Sequence, residues 1–338
     1  MKWRSTVKKY WKRYLILAIS VIVAIFTFHD EIKDIIKGLE TVPPLAIVGM
    51  IVFMHLYYIL DGTITKNIVE HEHKITYKQG IACTYYCAFF RVVTLGSGSG
   101  VAQVAYLTQC GMDMATASSI AMIQYVLQKF TIVLLGLLSY FIFYEDINIL
   151  LGDYSSYLLI GVIVAFGIIS FILILASSKK LSDCVIAILR KIGNKRFKEK
   201  IDMLEEKVID LQVSSRVLFK KKKLLIKIIA INIIKLICMF IVPYMILHKQ
   251  INLLYTIGLF AVSHMLAGVM PTPAGYGSLD LMFVVLYGGI AGVYTSAVLI
   301  VLYRAVNTIL SYIIGSVIYM FGFREKQQLQ LKEVSDTM

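Results

Sequence analysis

Two short glycine-rich runs, GSGSG at 96–100 and PTPAGYG at 271–277, interrupt long apolar stretches at corresponding places in the two halves of this chain. Inside a bilayer every backbone amide or carbonyl without a partner costs several kcal/mol. Sequence that cannot hold a helix at membrane depth therefore persists only where protein buries it or where it lines a polar cavity. Each break accordingly marks an expected binding or transit site. The setting is a membrane one: 58% of the chain is hydrophobic, mean hydropathy is +0.76, and only 16% is charged, the profile of a polytopic membrane protein.

Apolar spans read as 10–28, 43–60, 79–95, 101–111, 115–144, 155–176, 224–247, 253–270, 278–290 and 296–323. Crossing the hydrocarbon core takes about 20 apolar residues, so the short segments flanking the two breaks read as half-helices meeting in mid-membrane. Residues 61–80 read as a loop. The first apolar stretch follows Arg4, Lys8, Lys9, Lys12 and Arg13, and Phe26, Phe28, His29 and Asp30 stand where a small-residue cleavage site would follow, so it reads as a retained span.

Placement of charge orients the chain. Residues 1–13 hold six basic and no acidic side chains, and residues 177–223 hold fourteen basic against six acidic. Both belong in the cytoplasm by the positive-inside rule, with the acidic stretches 29–44 and 145–156 outside. The first broken region then enters from the cytoplasm and the second from outside, giving two units of inverted topology as in many secondary transporters. The expected fold is an all-α polytopic transmembrane helical bundle with two inverted repeats, each containing a glycine-rich broken or re-entrant element. Its parts are 1–42 (basic segment, first helix and outer loop), 43–176 (first repeat), 177–223 (basic connecting loop), 224–323 (second repeat) and 324–338 (tail). A bacterial cytoplasmic membrane, with both termini cytoplasmic, is the expected location.

The net charge of +13 would suggest nucleic acid in a soluble protein. Here the basic loop, with Leu204, Val208 and Leu211 at helical spacing and Lys220 to Lys223 abutting the next span, reads as a topology signal that attracts anionic lipid headgroups. No groove-reading element accompanies it, so no nucleic acid is expected. The five cysteines are odd in number and lack a paired zinc spacing. GSGSG is neither GxGxxG after a strand nor a P-loop, so no ATPase and no cofactor is indicated. Glu70, His71, Glu72 and His73 cluster in the 61–80 loop without a defined ligand set and read as solvated side chains, with no metal expected.

Ionisable side chains within spans cost about 2.5–3.5 kcal/mol each on insertion scales, so Arg91, Lys129, Lys235, Asp280 and Arg304 need explanations. Lys129 and Lys235 have stems long enough to reach an interface or cavity. Thr84, Cys87 and Arg91 share one helix face, Gln124, Gln128 and Thr131 another, and Arg304, Asn307, Thr308, Ser311 and Gly315 a third. Helix packing through small and hydrogen-bonding residues is the competing explanation of such stripes. Free amides at the helix starts near Val101 and Ser278 suit an anion, with Arg91 or Arg304 adding a bidentate phosphate contact. Asp280 would neutralise an arginine or accept a cationic headgroup, or else close an Asp280–Arg304 structural pair. His264 reads as a packed, hydrogen-bonded histidine. The candidate substrate-binding set is Arg91, Gly96, Gly98, Gly100, Gln103, Gln128, Pro271, Pro273, Gly275, Gly277, Asp280, Arg304 and Asn307. No catalytic residue is expected.

PTPAGYGSLD at 271–280, YRAVNTILSYIIG at 303–315 and TLGSGSGVAQVAYL at 94–107 together resemble the membrane region of lysylphosphatidylglycerol synthases, the flippase-like domain of the multiple peptide resistance factor family. Ala274 stands where that family usually has glycine and Asp280 where it has glutamate. The resemblance implies a lipid flippase, moving a phospholipid, aminoacylated phosphatidylglycerol included, or another lipid-linked anion between leaflets. It also implies a link to cationic antimicrobial peptide resistance. Residues 324–338 leave no room for the soluble lysyltransferase domain of the bifunctional members. Two other readings stay open: a membrane component of lipid aminoacylation working with a separate aminoacyl transferase, and a lipid-binding envelope scaffold.

Overall fold

The computed structural model describes residues 42–94, 98–152, 159–167, 221–269 and 277–321, with 40, 96, 170–171, 183–184, 186–187, 190 and 209. Among these it contains helices and no strand. Helix α1 (Pro44–Val69) is followed by the hairpin arms α2 (Tyr77–Val93) and α3 (Ser99–Gln109), the long α4 (Met114–Ile142) and the short α5 (Tyr144–Leu151). The second half repeats the order. Helix α6 (Lys222–Phe240) and the short α7 (Tyr244–Leu247) precede the hairpin arms α8 (Leu253–Ala267) and α9 (Ser278–Ala291). A long helix then runs through α10 (Val293–Arg304), a π-helical turn (Ala305–Ile309) and α11 (Leu310–Phe321). Helices α1, α4 and the continuous α10–α11 are long and apolar enough to cross a membrane.

Local chemistry sets the helix starts. Thr76 and Gln79 form a reciprocal capping box at α2, the side-chain oxygens accepting from Gln79 N–H at 3.2 Å and Thr76 N–H at 2.8 Å. Asp113 accepts from Thr116 N–H at 2.9 Å to start α4, and Asn252 from Tyr255 N–H at 2.8 Å to start α8. Both hairpin turns use a left-handed glycine: Gly96 has φ 98° and donates to the Arg91 carbonyl at 2.7 Å, and Gly277 has φ 86°. A side chain with a Cβ is strained there, which is why the breaks are glycine-rich.

Two expected boundaries are corrected. The span expected to end at residue 60 continues to Val69, which shortens the 61–80 loop to the residues between Val69 and Tyr77. Gly62 does not stop the helix: a Cβ there would stand 2.5 Å from Ile81 Cα, so this glycine lets α1 and α2 touch. The span expected over 224–247 ends at Phe240, because Pro243 has no N–H to continue it. The spans 10–28 and 155–176, the amphipathic stretch with Leu204, Val208 and Leu211, and the 324–338 tail lie wholly or largely outside the described residues.

The two sets of helices grip each other reciprocally. Helix α11 packs along α2, α4 along α8, and α1 along α6. Gly136 and Gly315 lie equally far into their long helices, 114 to 136 and 293 to 315. A Cβ on Gly136 would press on the Ala261 carbonyl and Met265, and one on Gly315 on the Tyr85 carbonyl and Phe89. Ala261 and Tyr85 are themselves equally far into α8 and α2, 253 to 261 and 77 to 85. Each long helix thus uses a corresponding glycine to close on a corresponding turn of the other set's first hairpin arm. The apolar core between them combines aliphatic side chains with the almost fully buried rings of Tyr58, Phe240, Phe260, Phe283 and Tyr287.

Candidate functional site

Helices α1–α4 enclose a cavity of 540 Å³ lined by polar side chains from every one of them. Helix α1 supplies Asp61 and Thr65. Helix α2 supplies Thr84, Cys87 and Arg91, the face that helical spacing groups together. Helix α3 presents Ser99, Gly100, Val101 and Gln103, so its first turn opens onto the cavity, and α4 adds Gln124 and Gln128. The first-turn amides of a helix have no intrahelical acceptor, which makes that end of the cavity suited to an anion.

A continuous polar network holds the walls. Lys235 on α6, with no solvent exposure, donates to Asp61 Oδ1 at 2.9 Å. The same oxygen accepts from Gln124 Nε2 at 3.3 Å. Gln124 Oε1 in turn accepts from Thr65 Oγ1 at 3.0 Å and Gln103 Nε2 at 2.8 Å. The Lys235 ammonium also lies 5.3 Å from the ring centroid of Tyr57, whose hydroxyl accepts from Gln128 Nε2 at 3.2 Å. Thus α1, α4 and α6 meet at one carboxylate, and α3 joins them through Gln124. The Arg91 guanidinium, by contrast, makes no hydrogen bond or ion pair among the described residues and lines the cavity.

The expected site residues fall into separate groups. Arg91, Gly100, Gln103 and Gln128 line the cavity. Gly96 and Gly98 form the turn at its edge, where Gly98 N–H donates to Thr94 Oγ1 at 2.7 Å. Gly277, Asp280, Arg304 and Asn307 lie elsewhere. Asp280 accepts from Gly277 N–H at 2.9 Å, capping its own helix, and pairs with Arg304 at the end of α10. Its other oxygen, Oδ1, is buried and accepts no hydrogen bond among the described residues. Asn307 sits in the π turn, where both its backbone carbonyl and its side-chain oxygen accept from the Tyr58 hydroxyl, at 2.8 and 3.1 Å. Pro271, Pro273 and Gly275 are outside the described residues.

His264 packs on Phe260 with ring centroids 4.7 Å apart, its Nε2 3.4 Å from the Tyr303 hydroxyl. Thr131 turns back to the Leu127 carbonyl at 2.7 Å and stays out of the cavity. In the 70–76 loop, Glu70 pairs with Lys66 at 2.5 Å and His73 bonds the Cys110 carbonyl at 2.9 Å.

Sequence reasoning missed Asp61, because it treated that residue as the first of a loop. Two signals were available: Asp61 and Thr65 are one helical turn apart in line with the apolar run from Pro44, and the intramembrane Lys235 required a counter-charge.

Fold and cavity define an all-helical integral membrane protein with a polar, charged chamber between its helices. Residues 14–315 match the family described as the lysylphosphatidylglycerol synthase TM region, and the chain belongs to that family. No curated protein matches it.

Proposed function

We propose that this chain is a lipid flippase that takes a phospholipid headgroup into the α1–α4 cavity and passes it between leaflets. The observation that carries this reading is the contrast between the chamber and its rim. Inside are Arg91, Asp61 and the glutamines, whereas Val101 and Tyr125, which also line it, are 72% and 56% exposed. An amphipathic guest fits such a site, with its headgroup among the polar side chains and its acyl chains against the apolar rim. Arg91 and the α3 amides would hold the phosphate, and Gln103 and Gln128 its glycerol hydroxyls.

The second break would serve as a counterpart. Gly277 and the Asp280–Arg304 pair would position the helix that follows it, and Asn307 ties the α10–α11 helix to Tyr58 on α1. Pro271, Pro273 and Gly275 belong to the same run in the sequence. In this reading the two units are inverted in a bacterial cytoplasmic membrane, with both termini and the basic 177–223 loop on the cytoplasmic side against anionic lipids.

Reconstitution tests the proposal. Proteoliposomes containing headgroup-labelled phosphatidylglycerol should lose the protected inner-leaflet fraction faster than protein-free vesicles, and Arg91→Gln should slow that loss about tenfold or more. Unchanged lipid protection with correctly folded protein would reject the reading. Membership of a synthase family favours a second reading, a membrane component of lipid aminoacylation. Formation of lysyl-lipid only when this chain accompanies a soluble aminoacyl transferase would support it instead.

A further inference from the structure

Two charged side chains line the cavity, Asp61 and Arg91. They are not equally available. The Asp61 carboxylate is already met by an ammonium belonging to the protein, Lys235, which is wholly buried behind it, and by the Gln124 amide. Arg91 feels the same carboxylate electrostatically but makes no hydrogen bond or ion pair among the described residues. With one acid shared by two cations, Lys235 and Arg91, the described side chains leave the chamber one net positive charge.

Among the described residues no nearby acid reverses that sign. Lys129 follows the lining residue Gln128 on α4, places its ammonium 5.7 Å from the ring centroid of the lining residue Tyr125, and has no carboxylate partner among the described residues. The acid of the second hairpin, Asp280, is engaged by Arg304 and by its own helix cap. Charges in a low-dielectric chamber interact far more strongly than in water, so a guest of the wrong net sign is rejected rather than merely unassisted.

From this charge balance we infer that the cavity selects a lipid carrying a net-negative phosphate headgroup and discriminates against its lysyl ester. Phosphatidylglycerol brings one negative charge to a chamber with one positive charge. Its lysyl ester brings two ammonium groups with the same phosphate, and the acid that could receive an ammonium is occupied by Lys235. The inference rests on the flippase reading for its location and narrows the substrate class at that site.

The test is binding to the purified full-length chain in detergent by titration calorimetry, with three probes: dioctanoyl-phosphatidylglycerol, its lysyl ester, and inorganic phosphate. The expected order is phosphatidylglycerol at least tenfold tighter than the lysyl ester, and phosphate weaker than the lipid. Arg91→Gln should cost phosphatidylglycerol tenfold or more and leave the lysyl ester unchanged or improved. Lys129→Gln should move the preference in the same direction by a smaller factor, and it serves as the second variant should Arg91→Gln not fold.

Equal or tighter binding of the lysyl ester overturns the inference, as does phosphate binding as tightly as the lipid, which would mark a site for a free anion. The flippase reading fails separately: selective binding with no lipid movement in proteoliposomes removes the transport role and leaves the selectivity standing.

Discussion

A lysine with no solvent exposure survives in an apolar interior only while its charge is answered, and Asp61 answers it at 2.9 Å. Lys235→Ala removes the ammonium and leaves the Asp61 carboxylate at the cavity wall with the Gln124 amide as its remaining side-chain donor among the described residues. That loss should cost about 3–5 kcal/mol, the usual penalty for breaking a buried pair. The double change Asp61→Asn with Lys235→Met removes both charges and should be distinctly milder. Thermal unfolding of the three proteins in detergent checks the order, and a double variant as unstable as Lys235→Ala would show that the charge itself matters little. A second residue-scale outcome concerns Asp113, outside the span it starts. The Thr116 amide holds its carboxylate below the ordinary range of about 3.9. A depressed folded-state value means the cap stabilises fully above the unfolded value and loses that contribution as pH falls through the folded one. Asp113→Ala should therefore melt below the parent at pH 7, with the gap closing below about pH 4, where the parent's carboxylate protonates. Melting curves between pH 3 and 7 measure it.

Helix crossings decide which glycines are indispensable. A Cβ at Gly62 or Gly80 would strike the opposing backbone at the α1–α2 crossing, and one at Gly315 would strike the Tyr85 carbonyl. At Gly100, which lines the cavity, a Cβ would meet nothing within 4 Å. Alanine at Gly62 or Gly315 should cost at least about 1–3 kcal/mol, because backbone cannot yield as a side chain can. Alanine at Gly100 should leave stability unchanged, and folded yield with thermal stability in detergent separates the two classes. The same distinction explains what could be read from sequence. Glycine clusters announced both breaks, joined by proline only in the second, since few other residues adopt the turn conformation of Gly96 or Gly277, and the polar faces of α2 and α4 followed from helical spacing. Gly62 beside Asp61 looked equally like a stop. Only the partner helix shows that it is a contact glycine, so α1 was cut short and its acid lost from the site. The π turn at Ala305–Ile309 was unreadable for a related reason: the Asn307 carbonyl within it accepts from the Tyr58 hydroxyl, a partner 249 positions away.

Reciprocal packing at the scale of the whole molecule makes orientation testable. Equivalent glycines in α4 and α11 close on equivalent turns of α8 and α2, the contact pattern that two corresponding units, each completed by the other, would produce. Charge then argues that they face opposite ways. Helix α6 leaves the Lys-rich end at Lys222 and, at 19 residues, is about 28 Å long, close to the thickness of a core of about 30 Å. If the basic loop is cytoplasmic, the turn before α8 emerges outside. The turn before α2 lies at the other end of α1, on the cytoplasmic face. Those two turns hold equivalent places in the two units, so their sidedness is the inversion itself. Single cysteines at Glu72 and Lys249, in a chain whose five native cysteines are replaced by serine or alanine, report it directly. In intact cells a membrane-impermeant maleimide should label the Lys249 position and spare the Glu72 position until the membrane is opened. Labelling of both from one side would mean parallel units. The two hairpins would then open toward the same face, and alternating access through a pair of opposed half-helix sites would have no structural basis.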